Sequence, residues 1–259
     1  MAKIKFGPTG LGGGKEAIKN LEFFNKIGLQ ACEVAFTYGV YLKKNDAIKI
    51  GKFAKKVGIE LSIHAPYWIN LNSKDKEKVR ASEKRILKSC EIGNFLGAKK
   101  IVFHCGFYSG MDKDLVYENI KRRIVELMKI IKENKWNVEL CPETMGKKNV
   151  FGSIEEISRL VKETKCGFCI DFAHVLARYN DYKFDLIKKS FPQKNWHCHF
   201  SGIVYGEKGE KYHKKTPIEE WKKVLSFLKK LNKNIVIINE SPDCVEDSLI
   251  GRSIFKTIK

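Results

Sequence analysis

No stretch of this 259-residue chain approaches the roughly 20 consecutive apolar residues that a membrane-spanning helix needs. The opening residues, MAKIKFGPTG, also lack the apolar middle and small-residue cleavage site of a secretory leader. A cytoplasmic protein without membrane contact is therefore expected. No second CxxC accompanies Cys166-Gly-Phe-Cys169, which excludes a four-thiolate zinc site. The eight cysteines are scattered, and without an export signal they read as reduced core thiols. No low-complexity linker or Pro/Gly-rich seam divides the chain, so one domain over 1–259 is expected. No GxGxxG follows the first apolar run, because Gly10-Leu-Gly-Gly-Gly14 has the wrong spacing for a dinucleotide-binding turn.

Arginine is scarce. Only seven of the 49 basic residues are Arg, and the net charge is +19. That excess suits a polyanionic partner such as nucleic acid. Lys and Glu enrichment is also a hyperthermophile signature, and a solvated lysine face needs no ligand.

What the chain does have is alternation. Eight short β-branched and aromatic runs occupy 3–7, 31–36, 60–65, 100–106, 137–141, 166–171, 195–200 and 234–240. Between them lie Lys-rich segments of helical period, at 16–27, 47–57, 74–96, 113–134, 153–163, 185–190, 217–231 and 245–257. Ser153 and Thr216, each with Glu three residues later, carry the signal of a helix start. Eight strands alternating with eight helices predict a (β/α)8 TIM barrel, an α/β fold of about 250 residues with its chemistry at the C-terminal ends of the strands.

Those ends carry a pattern. Strand 3 stops at His64, strand 4 at His104, and strand 5 runs into Glu143. Strand 6 ends at Asp171 with His174 following, strand 7 holds His197 and His199, His213 comes in the next loop, and strand 8 ends at Glu240. All six histidines read as strand-end or loop residues, and none as helical. A lone strand-end histidine is commonly a hydrogen-bonded structural residue, and a lone Asp171 would serve as a helix cap. Six consecutive strands delivering imidazoles and carboxylates to one rim point instead to bound cations, since crowded carboxylates need compensating charge. Imidazole-rich, thiolate-free donors suit Zn2+, with Mn2+ or Fe2+ as alternatives. About eight donors exceed one tetrahedral ion and fill two or three. Paired ions holding a hydroxide would serve metal-assisted hydrolysis of a phosphate ester.

The same residues resemble the endonuclease IV family of apurinic/apyrimidinic (AP) endonucleases, zinc-dependent barrels of DNA base-excision repair. The likeness rests on FGPTGL, His64-Ala-Pro-Tyr67 with Ile69-Asn70-Leu71, Val102-Phe-His104 with Gly106, Glu143-Thr with Gly146, Cys169-Ile-Asp171 with His174, and Glu240-Ser-Pro242, in the expected order. It implies hydrolysis of the phosphodiester 5′ to an abasic site in duplex DNA by a monomer. It also implies that His64 and His104 hold one zinc, that the catalytic Glu143 bridges to a second held by Asp171, His199 and Glu240, and that His174 and His213 hold a third. His199 is preferred to His197, which would point inward at a deeper level. The family has Asp-x-His where this chain reads Lys211-Tyr212-His213, and Glu210, one residue out of register, would substitute only if the loop bends. The loop after strand 2 carries Tyr38 and Tyr41 but no arginine. With Tyr67 and Trp68 these are the expected DNA contacts, filling the gap in the base stack. Two other readings remain at this stage: a metal-dependent sugar isomerase or epimerase on the same barrel, and a nucleic-acid-binding protein with a decayed site.

Overall fold

The computed structural model describes residues 2–258, so Met1 and Lys259, the ends of the expected domain span, lie outside it. The chain runs β1 (Lys3–Pro8), α1 (Ala17–Lys26), β2 (Ala31–Ala35), α2 (Lys44–Val57), β3 (Glu60–His64), α3 (Lys76–Leu96), β4 (Lys100–Phe103), α4 (Lys113–Glu133) and β5 (Glu139–Pro142). It continues through α5 (Ile154–Thr164), β6 (Cys169–Asp171), α6 (Phe172–Tyr179), α7 (Phe184–Ser190), β7 (Asn195–Phe200), β8 (Gly202–Gly206), β9 (Gly209–Lys214), α8 (Ile218–Lys229), β10 (Asn234–Asn239) and α9 (Cys244–Thr257).

Parallel strands pair in the orders β1-β10-β7-β6 and β2-β3-β4-β5. Parallel bridges from Thr9 to Glu33 and from Glu143 to Cys169 join the two sets into a closed (β/α)8 barrel. Strand alternation divides the side chains between two layers. Ile101 and Phe103 of β4 face the helices and join the main apolar core. Val102 faces the lumen, where it meets Cys141 and Cys169 in a small cluster of its own. The helices close the outer layer with one apolar stripe each, as in α4, where Ile120, Ile124, Leu127 and Ile131 are buried. Each such side chain contributes about 1.5–3 kcal/mol on burial.

Local chemistry sets the helix starts. Asp75 and Asp112 cap α3 and α4, and Ser153 with Glu156 forms the expected capping box at α5. The second expected start is different. Pro217, not Thr216, precedes α8, and the Thr216 hydroxyl is instead engaged by buried Asp247. Two elements differ from the sequence-based expectation. The antiparallel hairpin β8–β9 fills the segment read as loop, and α6 follows β6 without a break. His174 therefore lies in a helix, a correction to the expectation that no histidine does. The eight-residue helix starts directly on the strand end, and its cap, Asp171, is also the strand-end carboxylate, so no separate loop marks its start in the sequence. Among the described residues no helix is long and apolar enough to cross a membrane.

Candidate metal centre

Glu143, just beyond β5, stands at the middle of the C-terminal rim. Its Oε2 lies 3.3 Å from His64 Nε2 and 3.0 Å from His104 Nε2. Its Oε1 lies 3.1 Å from His199 Nδ1 and 3.4 Å from His174 Nδ1. Four imidazoles from β3, the end of β4, α6 and β7 thus converge on one carboxylate. Glu240 Oε1 approaches His199 Nδ1 to 3.4 Å. Asp171 divides its oxygens: Oδ1 accepts from the His174 backbone N–H at 2.8 Å and caps α6, while Oδ2 lies 3.3 Å from His174 Nδ1. The cap that is one ordinary explanation of Asp171 therefore uses only half of it.

Donor atoms within 4.8 Å of one another fall into three groups on this rim: His64, His104 and Glu143; Glu143, Asp171, His199 and Glu240; and Asp171, His174 and His213. Neighbouring groups share Glu143 or Asp171. Among the described residues, Asp171 Oδ2 and Glu210 Oε2 are buried without a hydrogen-bond partner. Orphaned carboxylate oxygens beside imidazole nitrogens are what divalent cations satisfy, so this donor set fits them.

Glu210 reaches this rim through a β-bulge. Val204 pairs with Tyr212 but Tyr205 pairs with Glu210, leaving Lys211 unpaired. The extra residue turns Glu210 onto the same face as His213. Its Oε2 comes 3.4 Å from His174 Nε2. Gly146 permits that approach, since a Cβ there would meet the Glu210 Cβ at 2.7 Å. The loop bearing Glu143 and Gly146 is pinned by Arg178 of α6, which donates to the carbonyls of Met145, Lys147 and Val150. His213 Nδ1 lies 2.5 Å from the Ser201 hydroxyl.

Burial and charge compete throughout. Burial opposes the charged form of His64, but Glu143, Glu33 and Glu240 outweigh it and raise its pKa to about 8. His174 and His199 are likewise driven well above the ordinary imidazole value, against burial, by Asp171 and by Cys169 and Glu33 respectively, together with Glu143. Burial raises Asp171, whereas Glu143 is held well below the usual carboxylate range because His199 and the neighbouring imidazoles overcome burial. Glu240 falls to about 2 as His199 outweighs its burial.

The four expected aromatics lie around this bowl in different states. Tyr67 is half exposed and stacks on His104, with ring centroids 6.0 Å apart and planes at 12°. Burial and the charges of Glu240 and Glu143 push its phenol up to about 12. Trp68 is 63% exposed, with its carbonyl held by Arg85, so the ring does not pack under its own loop. Tyr38 is 81% exposed. Tyr41 is tied back, its hydroxyl donating to the Gly12 carbonyl at 3.2 Å and its ring edge-on to Phe36. Phe107 and Tyr212, which the sequence reading did not single out, are also exposed.

Two residues near the site escaped the sequence reading in position or in role. Glu33 of β2 is fully buried beneath His199, and Nε2 of His197 lies 3.1 Å from the same carboxylate. The available signal was an acid inside the apolar run ACEVAF.

The sequence pattern of the xylose isomerase-like TIM barrel matches residues 21–252. An uncharacterized protein of Methanocaldococcus jannaschii is 35% identical over 252 residues, 91% of this chain and 90% of that protein. A probable endonuclease 4 of Mesomycoplasma hyopneumoniae is 34% identical over 139 residues, a match spanning 52% of this chain and 46% of that protein. Among solved structures, endonuclease IV from Thermus thermophilus superposes with a TM-score of 0.74 at 19% identity, covering 99% of this chain and 100% of the other. L-ribulose 3-epimerase superposes with a TM-score of 0.75 at 12% identity, covering 99% and 95%. At such identities the superpositions establish the fold alone, whereas the sequence match establishes kinship: the chain belongs to the xylose isomerase-like TIM barrel family.

Proposed function

We infer that the protein is a zinc-dependent AP endonuclease, hydrolysing the phosphodiester 5′ to an abasic site in duplex DNA. The observation that carries this reading is the sharing of Glu143 and Asp171 among three adjoining donor groups. Donors so arranged exceed what one ion can use and suit a multinuclear site. His64, His104 and Glu143 would hold one zinc; Glu143, Asp171, His199 and Glu240 a second; and His174 and His213, with Glu210, a third. Bound there, the ions supply Lewis-acid charge to a phosphoryl displacement and lower the pKa of water toward about 7.

The chain's own residues do the rest. Glu143 presents its two oxygens to opposite sides of the bowl, Oε2 to His64 and His104 and Oε1 to His199 and His174. Tyr67 keeps its phenolic proton at neutral pH and can donate to a phosphate oxygen beside His104. Trp68 and Tyr38 offer exposed rings on which a base beside the abasic gap can stack, worth about 1–3 kcal/mol per base. Lys147, Lys148, Lys208, Lys211 and Lys214 are exposed on the hairpin and on the loop bonded to it, where they can track phosphates.

The test is nicking of a duplex carrying one tetrahydrofuran abasic analogue, beside an intact duplex. Tetrahydrofuran cannot undergo β-elimination, so any cut is hydrolytic. Cutting at that site alone, lost to chelator and restored by zinc, is expected. Zinc uptake without cutting would overturn the reading in favour of a sugar substrate or of DNA binding without catalysis.

A further inference from the structure

The barrel lumen beneath the metal bowl is polar where such lumens are usually packed with branched aliphatic side chains. Glu33, Ser62 and His197 occupy it and are all buried. Glu33 is the charged member, and its flanking residues Cys32 and Val34 belong to the outer core, so its own side chain faces the barrel axis. One oxygen, Oε2, accepts from the Ser62 hydroxyl at 2.7 Å and lies 3.1 Å from His197 Nε2. The other, Oε1, has no hydrogen-bond partner in line and lies 3.0 Å from Nε2 of His199.

His199 therefore stands between two carboxylates. Its Nδ1 faces Glu143 at 3.1 Å and Glu240 at 3.4 Å on the rim, and its Nε2 faces Glu33 below. A negative charge beside Nε2 favours the proton on that nitrogen, which leaves the Nδ1 lone pair free and directed at the rim. Metal-ligating histidines commonly have their second nitrogen held in this way by a carboxylate. A buried carboxylate is costly unless its surroundings use it: Ser62 and His197 engage Oε2, while Oε1 faces His199 Nε2, neither of these two atoms having a hydrogen-bond partner in line.

We propose that Glu33 is a positioning residue for the metal centre: through Nε2 of His199 it sets the tautomer and aim of that ring, and so tunes the ion shared by Glu143, Asp171, His199 and Glu240. His197 and Ser62 hold Glu33 in place from the other side. The inference rests on the multinuclear reading of the site but not on any particular substrate. The lumen also offers a competing arrangement, because Cys169, His197 and His199 present donor atoms within 4.8 Å of one another. In that case the lumen would itself be a metal site.

Zinc titration of the metal-stripped protein against a competing chelator, with stoichiometry read by elemental analysis, separates these cases. In Glu33→Gln, which keeps the volume and removes the charge, one zinc equivalent should weaken by about 10–100-fold. The other equivalents should be unchanged. Glu33→Asp, one methylene shorter but still charged, should show a smaller loss confined to the same equivalent and covers the case in which the glutamine variant does not fold. Cys169→Ser should bind as wild type. Wild-type affinity at every equivalent in both Glu33 variants overturns the inference. Equal weakening of all equivalents, with a lowered melting temperature of the metal-free protein, also overturns it and leaves Glu33 a structural acid. Loss of an equivalent in Cys169→Ser overturns it in favour of a lumen site. Failure of the wild-type protein to take up zinc would instead remove the multinuclear reading beneath it.

Discussion

Glu143 Oε1 lies 3.1 Å from Nδ1 of His199, while the other oxygen of the same carboxylate faces His64 and His104. One side chain thus touches both halves of the bowl. Replacing Glu143 by Gln keeps the shape but removes the charge that both halves share. Hydrolysis of the tetrahydrofuran duplex should fall by about 10²–10³-fold, roughly 3–4 kcal/mol. Affinity for that duplex should persist. Unchanged turnover would show that Glu143 does not carry the chemistry.

The metal-free protein should become less stable as the pH rises from 6.5 toward 8. His64 has its folded pKa raised from 6.5 to about 8 by Glu143, Glu33 and Glu240 acting against burial. The stabilisation is complete below the unfolded value and disappears as the folded imidazole loses its proton. His197 is shifted in the opposite direction, lowered by burial, so its smaller contribution to the slope has the opposite sign. Zinc should reverse the slope, since ligation needs unprotonated imidazoles and releases protons. Melting temperatures at pH 6.5 and 8, with and without zinc, check both signs.

The bulge at Lys211 brings Glu210 round to His174 and His213. Glu210→Ala should reduce bound zinc by about one equivalent while leaving the other ions in place. Deleting Lys211 should leave stoichiometry intact, because Glu210 then stands two residues before His213 and alternation alone puts both on one face. Elemental analysis of the two variants decides whether the bulge matters only through the facing of Glu210. Full stoichiometry in Glu210→Ala would remove Glu210 from the ligand set.

Trp68 and Tyr67 project from one loop but are held differently. Tyr67 rests on His104, and Trp68 is held through its carbonyl by Arg85. Trp68→Ala should cost about 1–3 kcal/mol in binding an abasic duplex, with little change in melting temperature. Tyr67→Ala should in addition reduce turnover and narrow the preference for abasic over intact duplex in competition binding. Equal selectivity in both variants would make the loop a packing element.

Asp247 of α9 offers a test of the scaffold. It is fully buried and accepts from the Thr216 backbone and hydroxyl, from Trp221 Nε1 at 2.9 Å and from Asn239 Nδ2 at 3.2 Å. Asp247→Ala leaves these donors unpaired in the core and should destabilise the fold by about 3 kcal/mol. In a chain of this size that is a drop of about 6–12 °C in melting temperature. A loss under about 0.5 kcal/mol would mean that water takes over the network.

The barrel was legible because its signals are local. Apolar runs such as KIVFHCG fix strands, the Ile120–Ile131 stripe fixes a helix, and a strand's alternation says which residues share a face. Strand-end chemistry was legible for the same reason, since His64, His104, Glu143, Asp171 and Glu240 each follow an apolar run. The hairpin and α6 were not. Lys211 gives no sign in sequence that it will be unpaired, and α6 begins where β6 ends.

By itself the sequence determined that six of the eight strands carry imidazoles and carboxylates to one rim. Only the tertiary structure decided which of them meet. Glu33 and His199 stand far apart in the chain and belong to strands on opposite sheets of the barrel, so their 3.0 Å approach depends on closure of the ring and on no local pattern. The same holds for Glu143, whose neighbours come from four separate elements. Local periodicity aims each side chain inward, and the radius of a closed barrel then sets the distances between them.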